Sequence, residues 1–187
     1  MLLSINDLEP ADILLSTGKS VVSTAIRGGT MSRYSHAALY IGNGQVIESI
    51  GSGVTQQSLS SAMSDDTLVT VYRRINMRDA QAKKVIQYAK AQLGKKYDAA
   101  GAIGGGVTSA SGVFIGIFLG PLVTTAAVGA DLLNRHNPEA AFYCSELVAI
   151  AFEKAGVPLG SGAASTTPAD ISRSHVLNYI GDLKKSA

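Results

Sequence analysis

The spacing of apolar residues predicts a helix that begins at Cys144. Five apolar or small residues after it share one helical face with it: Leu147, Val148, Ala151, Phe152 and Ala155. Gly156 and Pro158 then predict the end of the helix, because a glycine just past the last turn and a following proline are common stop signals. Cys144 therefore lies in the first turn, on the face that is turned towards the protein.

A second pattern predicts a β-hairpin around the run Gly42–Gly44. His36 lies in the first strand and Glu48 in the second. A two-residue Asn43–Gly44 loop would place these two side chains on opposite faces of the hairpin. A three-residue loop, with its last glycine left-handed, pairs Ala38 with Glu48 and makes His36 and Glu48 diagonal neighbours about 7–8 Å apart. Cooperation between the two side chains requires the longer loop.

The rest of the chain predicts alternating strands and helices. A turn at 9–10 leads into a strand over 12–16, followed by a helix over 20–27, a Ser- and Gly-rich loop over 49–64, a strand over 68–73 and an amphipathic helix over 79–93. Thr167, Pro168 and Asp170 have the identities expected at the N-cap, N1 and N3 positions of a last helix. We predict one domain over 1–187, because this length suffices for a single sizeable core.

The most unusual segment is 99–130, which contains 32 consecutive residues without a charge. Gly112, Gly116 and Gly120 are spaced by four, which permits close helix packing. One membrane span needs roughly 20 apolar residues, and one crossing would separate His36 and Glu48 from Cys144. We therefore expect an apolar helical insertion over 99–133. Two structures remain open for this insertion: a buried hairpin, and a hairpin that contacts a membrane surface through 99–130.

Composition narrows the possible partners. Sixteen basic and fourteen acidic residues give a net charge of +2 without a basic cluster, so nucleic-acid binding is not expected. One cysteine excludes an intramolecular disulfide, and His136 (in a loop) and His175 (in a polar helical stretch) show no metal-ligand spacing. We expect no metal and no cofactor. The first residues lack the basic region of a secretory signal, which predicts a cytoplasmic protein or export by a signal-independent route to a target cell.

The chemistry of Cys144, His36 and Glu48 is complementary. Amides and the dipole at a helix N-terminus lower the pKa of a thiol and favour the nucleophilic thiolate. A histidine can take the thiol proton, and a carboxylate can orient that histidine. Each residue taken alone is equally compatible with a structural role, since free cysteines are often buried and strand residues often face solvent. The combination is more specific than its parts.

The chain resembles the circularly permuted NlpC-type papain-like cysteine hydrolases, including the YiiX/YebB-like proteins, and more distantly the lecithin retinol acyltransferase-like enzymes. The resemblance rests on six segments in the family's order: 10–15, 35–42, 46–48, 94–98, 142–147 and 167–170. The histidine precedes the cysteine, as in the permuted group. The resemblance implies Cys144 as nucleophile, His36 as base and Glu48 as the orienting residue. It also implies an α+β papain-like fold, with an antiparallel sheet packed on the helix that Cys144 begins.

Three functions are compatible with this sequence. The first is hydrolysis of amide bonds in peptidoglycan peptides through an acyl-enzyme. An antibacterial effector could use this activity, with an immunity protein that protects the producing cell. The second is hydrolysis or transfer of lipid acyl chains, which the apolar segment favours. The third is a membrane-active or lipid-binding protein without catalysis. Tyr34, Tyr97 and Tyr143 are candidates for lining the substrate pocket.

Overall fold

The computed structural model describes residues 1–17, 32–64, 66, 68–97, 141–160 and 162–183. Within these ranges the strands are β1 (Leu2–Leu3), β2 (Ile13–Ser16), β3 (His36–Gly42), β4 (Gln45–Ile50), β5 (Gly53–Ser58), β6 (Val69–Arg74), β7 (Lys96–Tyr97), β8 (Ala141–Phe142) and β9 (Leu177–Leu183). The α-helices are α1 (Leu59–Ala62), α2 (Asp79–Ala91), α3 (Cys144–Lys154) and α4 (Pro168–Arg173). Short 3-10 turns cover Ile5–Asp7 and Ala163–Ser165.

Seven strands form one sheet in the order β1-β9-β6-β2-β3-β4-β5. All neighbours in this sheet are antiparallel except β1 and β9, which run parallel. Strands β7 and β8 form a separate parallel pair. The α+β fold with a largely antiparallel sheet, predicted from the sequence, is confirmed.

The core has two parts, one on each face of the sheet. On one face the side chains of Ala37, Leu39 and Ile47 pack in the same buried cluster as Leu147 and Val148 of α3. The second buried cluster lies on the other face and contains the alternate strand residues. Its members include Leu14, Ala38, Tyr40, Val46 and Val71. Helix α3 thus packs on strands β3 and β4, and its predicted apolar face is buried from Cys144 to Phe152.

Several predicted elements are confirmed at nearly the expected bounds. These are β2, β6, α2 and α3, together with α4, whose Thr167 hydroxyl accepts from the Asp170 backbone N–H at 3.2 Å. Gly156 ends α3 with a φ of +74°, as the stop signal requires. The helix predicted over 20–27 and the apolar insertion over 99–133 lie outside the described residues, as does His136.

Two predictions were wrong. The segment 49–64 is not a loop, because β5 pairs with β4 along its whole length and α1 follows directly. The polar composition of β5 hid this strand, since it forms through pairing with β4 rather than through an apolar face of its own. His175 does not lie in a helix, because α4 ends at Arg173 and the chain turns there into β9.

A partly buried ion pair joins the start of β2 to β6. Arg73 donates from Nε and Nη2 to the two carboxylate oxygens of Asp12, at 2.7 and 2.8 Å, and from Nη1 to Glu9 at 2.5 Å. Asp12 is only 1% exposed, and its carboxylate also accepts from the backbone N–H of Glu9 at 2.8 Å. The guanidinium therefore compensates a charge that has left water.

Replacing Arg73 with Met should lower the free energy of unfolding by about 2–4 kcal/mol, because it leaves the Asp12 carboxylate buried without its cation. Denaturant unfolding followed by circular dichroism measures this loss. Arg78→Met is the matched control at an exposed position and should change stability by less than about 0.5 kcal/mol. Equal stability of the two variants would show that the ion pair contributes little.

Candidate active site

The β3–β4 hairpin has the register that brings His36 and Glu48 to one face. Ala38 pairs with Glu48 and Tyr40 with Val46, as the sequence predicted. The loop itself differs from the prediction. The turn contains only two residues, Asn43 and Gly44, both with positive φ, and Gly42 pairs with Gln45 across it. A bulge between Tyr40 and Gly42 supplies the extra residue instead, with Gly42 at a φ of +92°.

The imidazole Nε2 of His36 and the carboxylate Oε2 of Glu48 form a short hydrogen bond. Glu48 is 3% exposed, whereas His36 retains 24% exposure, so the site opens to solvent on the histidine side. Burial alone raises the pKa of Glu48. Hydrogen bonds from His36 and from the Gln57 side-chain amide, together with the positive imidazole, more than offset this effect and hold the pKa below its usual value.

Helix α3 presents Cys144 as its first residue, with Tyr143 at the N-cap. Two contacts fix this end of the helix. The buried Ser49 hydroxyl, one residue beyond Glu48, donates to the backbone carbonyl of Phe142 at 2.6 Å. The Tyr143 backbone N–H donates to the Glu146 carboxylate at 3.3 Å. The strand that carries Glu48 is thus tied directly to the residues that precede Cys144.

The Cys144 thiol and the His36 ring lie close enough for each to shift the pKa of the other. Since Nε2 of His36 faces Glu48, Nδ1 is the ring nitrogen left for the sulfur. Burial raises the pKa of Cys144, but the positive His36 ring and the backbone amides of Ala37 and Ser145 outweigh it and lower the pKa. Burial likewise lowers the pKa of His36, but Cys144 and then Glu48 raise it well above its usual value. The arrangement favours a thiolate–imidazolium pair.

The three predicted pocket tyrosines have different surroundings. Tyr34 is buried, and its ring meets that of Tyr72 edge-to-face with centroids 6.2 Å apart. Tyr143 is also buried and donates its hydroxyl to the carbonyl of Ala164 at 3.0 Å. Tyr97 is partly exposed in β7, where it pairs with Phe142. Tyr97 is therefore the most accessible of the three candidates.

Sequence reasoning missed two residues around this site. Ser49, which positions Phe142, and Gln57, which donates to Glu48, were both assigned to a loop. The prediction of β5 as a strand would have identified Gln57, because a residue two positions from the cross-strand partner of Glu48 shares its face. Within the described ranges, no group of three or more His, Cys, Asp or Glu side chains is arranged to hold a metal ion.

Comparison with known proteins identifies the family of this chain. Residues 7–101 match the family model described as permuted papain-like amidase enzyme, YaeF/YiiX, C92 family. The chain belongs to this family. It is accordingly a cysteine hydrolase of the peptidase or amidase type, as the sequence predicted.

Two relatives of this amidase-family chain extend the comparison. The chain is 29% identical over 196 residues to the curated Escherichia coli K12 protein named "Probable lipoprotein peptidase YaeF", covering 95% of this chain and 72% of the relative. The crystal structure of metalloprotein yiiX from Escherichia coli O157:H7 has the same fold, with a TM-score of 0.65 at 19% identity. That match covers 92% of this chain and 96% of yiiX.

None of the helices in the described ranges is long and apolar enough to cross a membrane.

The electrostatics of the site predict that Cys144 forms a thiolate at lower pH than an ordinary thiol. Because Cys144 is the only cysteine, the rise in absorbance near 240 nm that accompanies thiolate formation reports this residue alone. The rise should occur below the ordinary thiol pKa of about 8.5. Subtracting the titration of Cys144→Ser removes the contribution of the tyrosines.

His36→Gln should move this rise to higher pH, because burial then acts on the thiol without the positive ring that opposes it most strongly. His175→Ala, which removes an exposed histidine, is the control and should leave the rise unchanged. A wild-type protein that titrates at or above pH 8.5 would contradict the ion pair.

Proposed function

We propose that the chain hydrolyses amide bonds in peptidoglycan peptides, with Cys144 as nucleophile, His36 as general base and Glu48 as the residue that orients His36. The observation that carries this proposal is the His36–Glu48 hydrogen bond, with the coupled His36 ring and Cys144 thiol at the first turn of a helix beside it. A thiolate held in this way is a ready nucleophile, and the imidazolium beside it is a ready acid.

The mechanism follows from these positions. The Cys144 thiolate attacks the carbonyl carbon of the amide, and backbone N–H groups at the start of α3 stabilise the oxyanion that forms. The His36 imidazolium then protonates the leaving amine, which departs and leaves a thioester on Cys144. His36, now neutral, takes a proton from water as that water attacks the thioester. Release of the carboxylic acid restores the thiolate and the imidazolium, with Glu48 keeping the ring in one orientation throughout.

The choice of an amide rests on the family and on the peptidase name of the YaeF relative. Peptidoglycan peptides are the leading substrate because the resemblance of this chain to NlpC-type enzymes favours them. Acyl lipids are the alternative, which the uncharged segment 99–130 favours. The bond cleaved distinguishes the two, because a lipid substrate releases a fatty acid and a peptide substrate releases an amine.

Cys144→Ala should reduce turnover by more than about 10³-fold, because no other group can form the thioester. Its thermal midpoint should remain close to that of the wild type, since the change removes one small atom from the start of the helix. Glu48→Gln should reduce kcat by about 10²-fold or more with little change in KM, since an amide cannot compensate the imidazolium. Full activity of purified Cys144→Ala protein would exclude the proposed mechanism.

The substrate is tested by incubating the protein separately with purified muropeptides and with phospholipid vesicles and analysing products by mass spectrometry. We expect muropeptide fragments that carry a new amine and a new carboxylate, and none with Cys144→Ala. Cys144-dependent release of fatty acid or lysolipid, with muropeptides intact, would reject the peptidoglycan proposal and favour the lipid alternative.

We further propose that the protein acts on the cell wall of a target bacterium and is neutralised in the producing cell by an immunity protein. Expression in a bacterium with and without an added periplasmic signal tests this delivery. We expect lysis only with the signal, and only when Cys144 is present. Equal growth of the two strains would argue against a toxic role at the wall.

A further inference from the structure

The Glu48 carboxylate has a second partner besides the histidine. Gln57 lies in β5 opposite Val46, which makes it a diagonal neighbour of Glu48 on the same face. Its side-chain Nε2 forms a short hydrogen bond with Oε1 of Glu48, while His36 binds Oε2. Each carboxylate oxygen therefore has its own donor, from a different neighbouring strand.

The orientation of the Gln57 amide is fixed by chemistry. An ionised carboxylate only accepts hydrogen bonds, so the amide nitrogen must face Glu48. The amide oxygen then faces the Ser61 hydroxyl, which donates to it at 3.1 Å. Ser61 is itself held in the first turn of α1, where its backbone N–H donates to the hydroxyl of Ser58, the N-cap residue, at 3.1 Å. The row thus continues from Glu48 to the start of α1.

Glu48 also has an alternative donor close by. Thr55 lies directly across the β4–β5 ladder from Glu48, and its buried hydroxyl has no hydrogen-bond partner among the described residues. Cross-strand partners have Cβ atoms about 4.5–5.5 Å apart. A carboxylate held only by His36 could rotate towards this hydroxyl and take Oε2 out of line with the imidazole.

We propose that Gln57 is a positioning residue that locks the Glu48 carboxylate in the rotamer that serves His36. The proposal rests on the proposed function, because it assigns Gln57 a role in the Cys144–His36–Glu48 row. Its action is indirect: Gln57 fixes Glu48, Glu48 fixes the ring of His36, and His36 holds the proton that the Cys144 thiol gives up.

A first test uses Gln57→Leu, which shortens the side chain by one atom and removes both hydrogen bonds. We expect kcat on a cleaved amide to fall by about 10- to 100-fold with KM nearly unchanged, the loss typical of one hydrogen bond to a charged group. The thiolate absorbance of Cys144 should also move towards higher pH, because a misplaced carboxylate supports the imidazolium less. Gln56→Leu, at the exposed neighbour on the opposite face of β5, is the matched control.

A second test uses Gln57→Glu and compares the pH dependence of its activity with that of the wild type. At low pH the introduced carboxyl is protonated and can donate to Glu48 as the amide does. At higher pH two carboxylates would face each other, and their repulsion would displace Glu48. The titratable group that acts on Glu48 among the described residues is His36, which in turn faces Cys144. The ratio of variant to wild-type activity should therefore fall as pH rises, whereas Gln56→Glu should give a flat ratio.

The outcomes separate this proposal from the function on which it rests. The absorbance titration requires no substrate, so an upward shift in Gln57→Leu supports the positioning role even if the amide substrate proves to be wrong. An unshifted titration together with a flat pH ratio for Gln57→Glu would overturn the role of Gln57 and leave Cys144, His36 and Glu48 untouched. If Gln57→Leu unfolds, the pH ratio of Gln57→Glu decides alone.

Discussion

The hydrogen bond between His36 and Glu48 depends on the register of β3 against β4. Side chains alternate across a strand, so a slip of one residue would turn Glu48 to the face where α3 packs. The bulge between Tyr40 and Gly42 prevents this slip, because it absorbs the residue that a two-residue turn cannot accommodate. The same register points the Ser49 hydroxyl at Phe142. One irregularity in a hairpin thereby positions both halves of the site.

The site is a balance between desolvation and pairing. Burial disfavours the charged form of each of its three ionisable groups, and the neighbouring charges and hydrogen bonds favour that charged form again. A central positive ring between a thiolate and a carboxylate satisfies both anions at once. Because the ring serves two partners, its orientation matters more than its charge alone, and the groups that hold Glu48 in place become part of the chemistry.

Much of this arrangement was accessible from the sequence. The helical stripe from Cys144, the stop at Gly156 and the Thr167 cap are local signals, and all three appear in the structure at the predicted positions. The pairing of Ala38 with Glu48 was predicted correctly through a wrong loop, because turn length and bulge give the same register. Strand β5 was missed, since its residues are polar and its conformation depends on β4. The contacts of Gln57 were missed for the same reason, because they depend on a strand that no local pattern indicates.

The pairing of β7 with β8 has a consequence for how this family can vary. Tyr97 and Phe142 lie side by side in one ladder, so the two residues that flank the segment 98–140 closely are held together. Segments whose ends are held together are the places where proteins accept insertion and exchange. An exchange of the sequence between these two ends would leave Phe142 anchored by Ser49, and with it the start of α3.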